Sequence, residues 1–365
     1  MKGPHIAQRH PALRWVVPVA VLAFAAAATV VALTSGSSSS RLAATTPDKL
    51  ISALRDPRVG GFSGTLLAQM TLDLPVSADT ASAGAPMVML AGAHTMRFWY
   101  GGEDRQRVAL LSQTSENDVF QVGTDVWQWD SLSRIATHSL VPEAAKAGLG
   151  SPISPAPLTI AALTPQELTE RTLAAVDTAT RVWLTDGGEI ADRPTYELVL
   201  EPGSGDQTRI ASVHIQVDAG EKVPLGVQVY ARGQQQPSID VGFTSVTYRT
   251  PAADYFEFSP PSGATVVRGA QPQIIAADQS AAESASDLAV PAIGWSAITE
   301  YRTADGKPAS MSEPMQAAMQ PVSGKWGKGR LLQTPLLCML VSDDGRVFSG
   351  SVDPAALYRV AATAP

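Results

Sequence analysis

Asp254-Tyr255-Phe256-Glu257-Phe258-Ser259-Pro260-Pro261-Ser262-Gly263 is the stretch on which the reading of the fold turns. Its alternating aromatics predict a short edge strand over Phe256–Phe258. Two prolines and a glycine stop that strand, since proline cannot donate to a ladder and glycine favours a turn. The chain leading into it alternates apolar and polar residues in short segments. These predict strands at Arg181–Asp186, Thr195–Glu201, Ala211–Asp218, Leu225–Ala231 and Ser238–Tyr248. Sequential strands with short connections predict an antiparallel meander. Such a sheet twists, and it can curl around a helix or a cavity.

The first half of the chain carries the same signature. Strands are expected at Phe62–Leu74, Thr95–Tyr100, Arg105–Thr114, Asp118–Val122, Val126–Trp129 and Ile135–Leu140. Gly101-Gly102 and Gly123-Thr124-Asp125 mark turns between them. Pro75–Ala93 is an insert of small residues around Met87-Val88-Met89-Leu90. Two helices stand out. One begins at Thr46-Pro47, with Thr46 as cap. The other spans Leu163–Val176, with Thr164 as cap, Pro165 at the first position, Glu167 closing a capping box, and Leu168, Leu173 and Val176 on one stripe.

After Val267 the composition shifts to Ala, Ser and Gln, which reads as a linker over 268–291. A small α+β unit follows over 292–365. In it, Ile293–Tyr301, Arg330–Val341 and Val347–Val352 read as strands. Asp343-Asp344-Gly345-Arg346 is a hairpin turn. Ser310–Met319 and Pro354–Ala362 read as helices, the latter capped by Asp353. The glycine-rich Gly324-Lys325-Trp326-Gly327-Lys328-Gly329 departs from a phosphate loop and reads as a flexible basic loop.

Lys2, Arg9 and Arg14 precede an apolar run from Trp15 to Leu33. A positive flank before such a run is an export signal, either cleaved or kept as an anchor. Residues 1–45 are therefore a signal or transmembrane segment with a flexible tether. The body, 46–267 and 292–365, then lies in the cell envelope outside the cytoplasmic membrane, or is secreted if the signal is cleaved. The net charge is −7, with three of the cations within the first 34 residues. An acidic body argues against nucleic acid as partner. Cys338 is the single cysteine, and Leu336-Leu337-Cys338-Met339-Leu340 reads as a buried strand carrying a core thiol.

No catalytic constellation is visible. His94, His138 and His214 are isolated in sequence and lack a second ligand at metal spacing. No Gly-x-Ser-x-Gly elbow occurs, and the acids Asp104, Glu116, Asp118, Asp125 and Asp130 sit near turns, where they cap backbone groups. No cofactor and no metal are expected. What remains is a large apolar inventory. Met70, Leu72, Met96, Phe98, Tyr100, Val108, Leu110, Trp127, Trp129, Val227, Val229, Phe243 and Phe258 fit one concave face. Such a face is either an ordinary core or an apolar pocket that accepts an acyl chain.

At these residues the chain resembles the periplasmic lipoprotein-carrier family, LolA, and its regulatory branch RseB/MucB. Phe256-Glu257-Phe258-Ser259-Pro260-Pro261-Ser262-Gly263 is similar to the carrier's closing motif. Gly123-Thr124-Asp125-Val126-Trp127-Gln128-Trp129-Asp130 is loosely similar to its central hairpin. Arg193-Pro194-Thr195-Tyr196-Glu197-Leu198 and Val223-Pro224-Leu225-Gly226-Val227 are similar to the regulator's strands. The resemblance covers Pro47 to Val267. It implies a half-open antiparallel β-barrel covered by helices, with an apolar cavity lined by the residues named above. It also implies a functional arginine early in the barrel, a region that holds both Arg97 and Arg105. The implied function is non-enzymatic: holding lipid or lipoprotein acyl chains, with a membrane regulator or transporter met through the C-terminal unit. The alternative is an envelope-stress sensor that binds a transmembrane anti-sigma factor.

Overall fold

The computed structural model describes residues 42–55, 59–73, 92–102, 104–112, 114–140, 164–268, 294–302, 311 and 313–363. The chain divides into Met1–Ala43 and Ala44–Pro365, and every element below belongs to the second unit. The basic flank, the apolar run and the Met87–Leu90 insert lie outside the described residues. Among the described residues no helix is long and apolar enough to cross a membrane.

Helix α1 (Pro47–Leu54) starts as its sequence dictates. The Lys49 N–H donates to Thr46 Oγ1 at 3.4 Å, and the helix buries Leu50 and Leu54. Strands β1 (Phe62–Met70), β2 (Gly92–Tyr100), β3 (Arg105–Leu111), β4 (Glu116–Val122), β5 (Asp125–Asp130) and β6 (Ile135–Leu140) form one antiparallel meander. Gly123, at φ 60°, opens the two-residue β4–β5 hairpin, where glycine adopts the left-handed region without strain. After helix α2 (Pro165–Ala175), strands β7 (Arg181–Ile190), β8 (Arg193–Glu201), β9 (Ile210–Asp218), β10 (Pro224–Ala231) and β11 (Ile239–Thr247) form a second meander. The two are joined where β11 returns to pair antiparallel with β1. Strand β12 (Thr265–Arg268) then adds to β6 in parallel. The result is a mainly β protein built on one open 12-stranded sheet, with β12 and β7 at its edges.

Several expectations are corrected. Phe256–Phe258 is not a strand. Ala253–Tyr255 forms a 3₁₀ turn, the Phe256 N–H donates to the Ala253 carbonyl at 3.0 Å, and the Phe256 ring is buried. A ring buried on a neighbouring face offers more than an edge strand flanked by prolines does. Nor do Pro260-Pro261 end the sheet, because Thr265–Arg268 extends it where the linker was expected to begin. Strand β7 runs past Asp186: the register shifts between Asp186 and Glu189, with Gly188 at φ 66°, and the turn falls at Ala191-Asp192, φ 51° and 60°. That mirror-image turn suits the right-handed twist of a hairpin.

A second sheet has the order β13 (Thr299–Arg302), β17 (Arg346–Gly350), β16 (Cys338–Ser342), β15 (Gly327–Gln333), β14 (Gln320–Gly324). Helix α3 (Glu313–Ala318) lies between β13 and β14 in the chain, and α4 (Pro354–Thr363) packs on β16 and β17. The strand expected over Arg330–Val341 is two. Thr334 turns the chain back, its Oγ1 accepting the Leu337 N–H at 2.9 Å. The basic glycine-rich stretch is the β14–β15 hairpin, with Trp326 stacked on Tyr358. Of the expected Ile293–Tyr301 strand the last three residues pair, and the strand runs on to Arg302. Cys338 is buried in this core and its thiol is pushed up to about 11 by desolvation.

The two sheets touch at a defined seam. Thr208 bridges Val352, the Arg209 N–H donates to the Ser351 carbonyl at 2.6 Å, and the Arg209 side chain reaches the Pro335 carbonyl and the Asp353 carboxylate. The Trp295 indole N–H donates to Thr180 Oγ1 at 2.9 Å.

Candidate ligand-binding face

Register decides which residues meet. On the large sheet Phe62 opposes Tyr100, Gly64 opposes Phe98 and Leu66 opposes Met96. Met96 then opposes Leu110, and Phe98 opposes Val108. Across the β1–β11 seam Leu66 opposes Phe243, Ala68 opposes Val241 and Met70 opposes Ile239. The row continues through Val227 and Val229 to Ile215 and Val213, and on to Leu198 and Leu200. Met70, Met96, Phe98, Tyr100, Val108, Leu110, Val227, Val229 and Phe243 therefore share one face, and all are buried. Leu72, just past β1, is buried as well. Helix α2 lies against β9 and β10, with Leu168 and Leu173 buried.

Trp127, Trp129 and Phe258 do not join them. Trp127 opposes Phe120 and Trp129 opposes Asp118, and that row carries on through Arg107 to Trp99 on the reverse of the sheet. Phe258 stacks on Phe120 with centroids 4.8 Å apart, and sits 5.5 Å from Trp127 and 6.1 Å from Trp129. Tyr255 stacks on Trp99. Between these rings the Arg107 guanidinium lies 4.6 Å from both the Trp99 and Phe120 centroids and pairs with Asp118 at 2.8 Å. Burial pushes the Asp118 carboxyl up to about 6, against the pull of Arg107. His138 stacks on Trp127 and its Nε2 is 2.9 Å from Asp125. This reverse face is a clasp that fastens the segment over 253–258. Arg97 opposes Thr65 on the reverse face, and Arg105 leans over the Phe256 ring.

Polar groups that look scattered in sequence come together on the same reverse face of β8 and β9. His214 Nε2 is 3.1 Å from Ser212 Oγ and its Nδ1 is 3.1 Å from Glu197 Oε1. The i, i+2 spacing of Ser212 and His214 on a strand is the signal that could have found the first pair. A hydroxyl–imidazole–carboxylate relay is two thirds of an acyl-transfer site. The remaining third of such a site is an oxyanion hole. Beside Ser212, Val213 pairs with Leu200 and Val229, while Ala211 falls in the register shift opposite Tyr230 and Ala231. Glu197 is further tied to Thr185 and Gln216, contacts that hold its carboxyl below the usual range despite desolvation. Among the described residues no group of three His, Cys, Asp or Glu side chains is placed to hold a metal.

No family model and no curated protein matches the chain. Solved structures do. One is the complex of Pseudomonas aeruginosa MucA and MucB, 16% identical over 86% of this chain and 95% of that one, TM-score 0.42. Another is a LolA-superfamily protein from Nitrosomonas europaea, 11% identical over 59% and 99%, TM-score 0.20. A third is a putative outer-membrane lipoprotein-sorting domain from Vibrio parahaemolyticus, 12% identical over 57% and 94%, TM-score 0.23.

Proposed function

We propose that this chain is an exported, non-enzymatic binding protein of the cell envelope that holds lipid or lipoprotein acyl chains against the apolar face of its large sheet. The observation that carries it is the continuity of that face from Val108 and Leu110 on β3, across the β1–β11 seam, to Leu198 and Leu200 on β8. Register shifts in the β1–β11, β9–β10 and β7–β8 pairs support a curl into a half-open barrel, since bulges bend strands and raise their twist. Burying an acyl chain is worth roughly 0.8 kcal/mol per methylene, so a shallow apolar groove suffices for micromolar binding. Protein purified from membranes should release an acyl species in native mass spectrometry, and the fluorescent fatty acid cis-parinaric acid should bind and be displaced by oleate. Absence of both would sink this reading.

A second reading, an envelope-stress sensor that meets a transmembrane anti-sigma factor through its C-terminal unit, draws support from the seam at Thr208 and Arg209. A unit hydrogen-bonded to the loop before β9 is placed to feel changes in the sheet. Deleting residues 292–365 should then abolish partner capture while cis-parinaric acid still binds.

A further inference from the structure

The face that is apolar on β1, β2 and β8–β11 turns polar at its other end. On β4–β6 the same side of the sheet carries Asn117, Gln121, Gln128, Thr137 and Ser139 around the buried pair Val119 and Val126. All but Asn117 are buried, Ser139 at 2% exposure, although nothing in sheet geometry demands polar residues there. Buried polar groups ordinarily find partners. Gln121 does, accepting from Gln106 Nε2 at 2.6 Å and donating to the Gly123 carbonyl at 3.3 Å. Gln128 and Thr137 oppose one another across β5–β6. Asn117 Nδ2 and Ser139 Oγ are fully buried and have no partner. The third such atom among the described residues is Thr169 Oγ1, on the helix that lies against β9 and β10. Leaving each of these groups unmade costs about 1–3 kcal/mol, so their retention calls for a reason.

We infer that this polar end is the head-group subsite of the acyl-binding face, and that it takes an uncharged ester- or amide-linked lipid rather than a free fatty acid. The inference rests on the acyl-binding reading above. The choice of chemistry follows from charge. Asn117 Nδ2 is a donor in need of an acceptor, and the Ser139 hydroxyl can donate. Carbonyl oxygens of an ester or amide supply such acceptors. A carboxylate or phosphate would supply them too, but needs a counter-charge when desolvated. The only ionisable side chain on this side of β3–β6 is Asp130, an anion, whose carboxylate already accepts from the Leu132 and Ser133 backbone and the Ser133 hydroxyl. Arg105 and Arg107 lie on the reverse face. The ligand's acyl chain then runs from this end across β1 and β2 towards β11.

The test uses the full chain with cis-parinaric acid as reporter, and monooleoylglycerol and oleate as competitors at pH 8. Monooleoylglycerol should displace the reporter about tenfold more tightly than oleate, the worth of one satisfied buried donor. Ser139→Ala or Asn117→Leu, whichever removes the donor that the head group meets, and the double variant, should bring that preference to within about twofold while oleate binding stays as it was. Both substitutions remove unpartnered polar atoms, so the ligand-free variants should melt no lower than the parent. If either does, the other single variant alone decides. Equal binding of the two lipids by the parent, or a preference that survives both single substitutions, overturns the head-group inference and leaves the acyl-binding reading standing. Failure of the reporter to bind at all removes both.

Discussion

Phe258 stacks on Phe120 with ring centroids 4.8 Å apart, and that contact puts the closing aromatic of the sheet on the side opposite Met96 and Phe98. The aromatic motif is thus a structural fastening. Tyr255, Phe256 and Phe258 hold the chain down on its way from β11 to β12.

Phe258→Ala should therefore cost stability without costing ligand. A half-buried ring in contact with three aromatics is worth about 2 kcal/mol, below the range for a fully buried phenylalanine. Urea denaturation reads the loss, and the affinity for cis-parinaric acid should be unchanged. A drop in affinity at unchanged stability would place Phe258 back among the ligand contacts.

Asp118 makes stability depend on pH in an unusual direction. Its folded value, about 6, lies above the ordinary carboxyl value of 3.8, because burial outweighs the attraction of Arg107. A group raised in the folded state stabilises fully below its unfolded value and loses that contribution as pH rises through the folded one. The contribution from Asp118 should fall between pH 4 and pH 6 and stay lost at pH 7. Asp118→Asn should flatten this slope and raise stability at pH 7 by an amount on the order of 1–2 kcal/mol relative to pH 4.5. Denaturation midpoints at the two pH values check it, and a slope identical to the parent's would refute the assignment.

Arg209→Ala should loosen the seam between the two sheets. The pair with Asp353 contributes little, since that carboxylate is 68% exposed. The bond from Arg209 Nε to the Pro335 carbonyl, at 3.0 Å and part-buried, matters more. A loss of about 1–2 kcal/mol is expected, with calorimetry resolving two transitions where the parent shows one. Asp353→Ala should have a much smaller effect.

Ser212 should be inert towards a fluorophosphonate probe. Its hydroxyl is bonded to His214 and through it to Glu197, but the adjoining Val213 pairs with strands on both sides. Labelling that disappears in Ser212→Ala would reverse the non-enzymatic reading.

Much of the secondary structure was legible because its signals are local. Phe62, Leu66, Ala68 and Met70 alternate with Ser63, Thr65 and Gln69 and lie in one strand, and Thr46-Pro47 starts a helix through a cap that the sequence spells out. The errors have physical causes. Gly187-Gly188 breaks the alternation of β7, which pairs on through a bulge. Phe256 was drawn out of an edge position by burial. In β4, residues 118 to 121 are all buried, because both sides of that strand are covered, so burial leaves no alternation to read.

The sequence by itself determined the mainly β class, the two meanders, most turns and the pairing of Trp127 with Trp129 on one side of one strand. A period of two says which residues of a strand look the same way. It does not say which side of the neighbouring strand they share. Only the tertiary structure decided that. Strand β11 meets β1 across about 180 residues, Thr65 opposing Ser245, and the seam and its bulge set which side of one meander continues into the other. Loop closure over such a separation leaves no local trace in composition, and a slip of one residue in register would have exchanged the apolar face with the aromatic clasp.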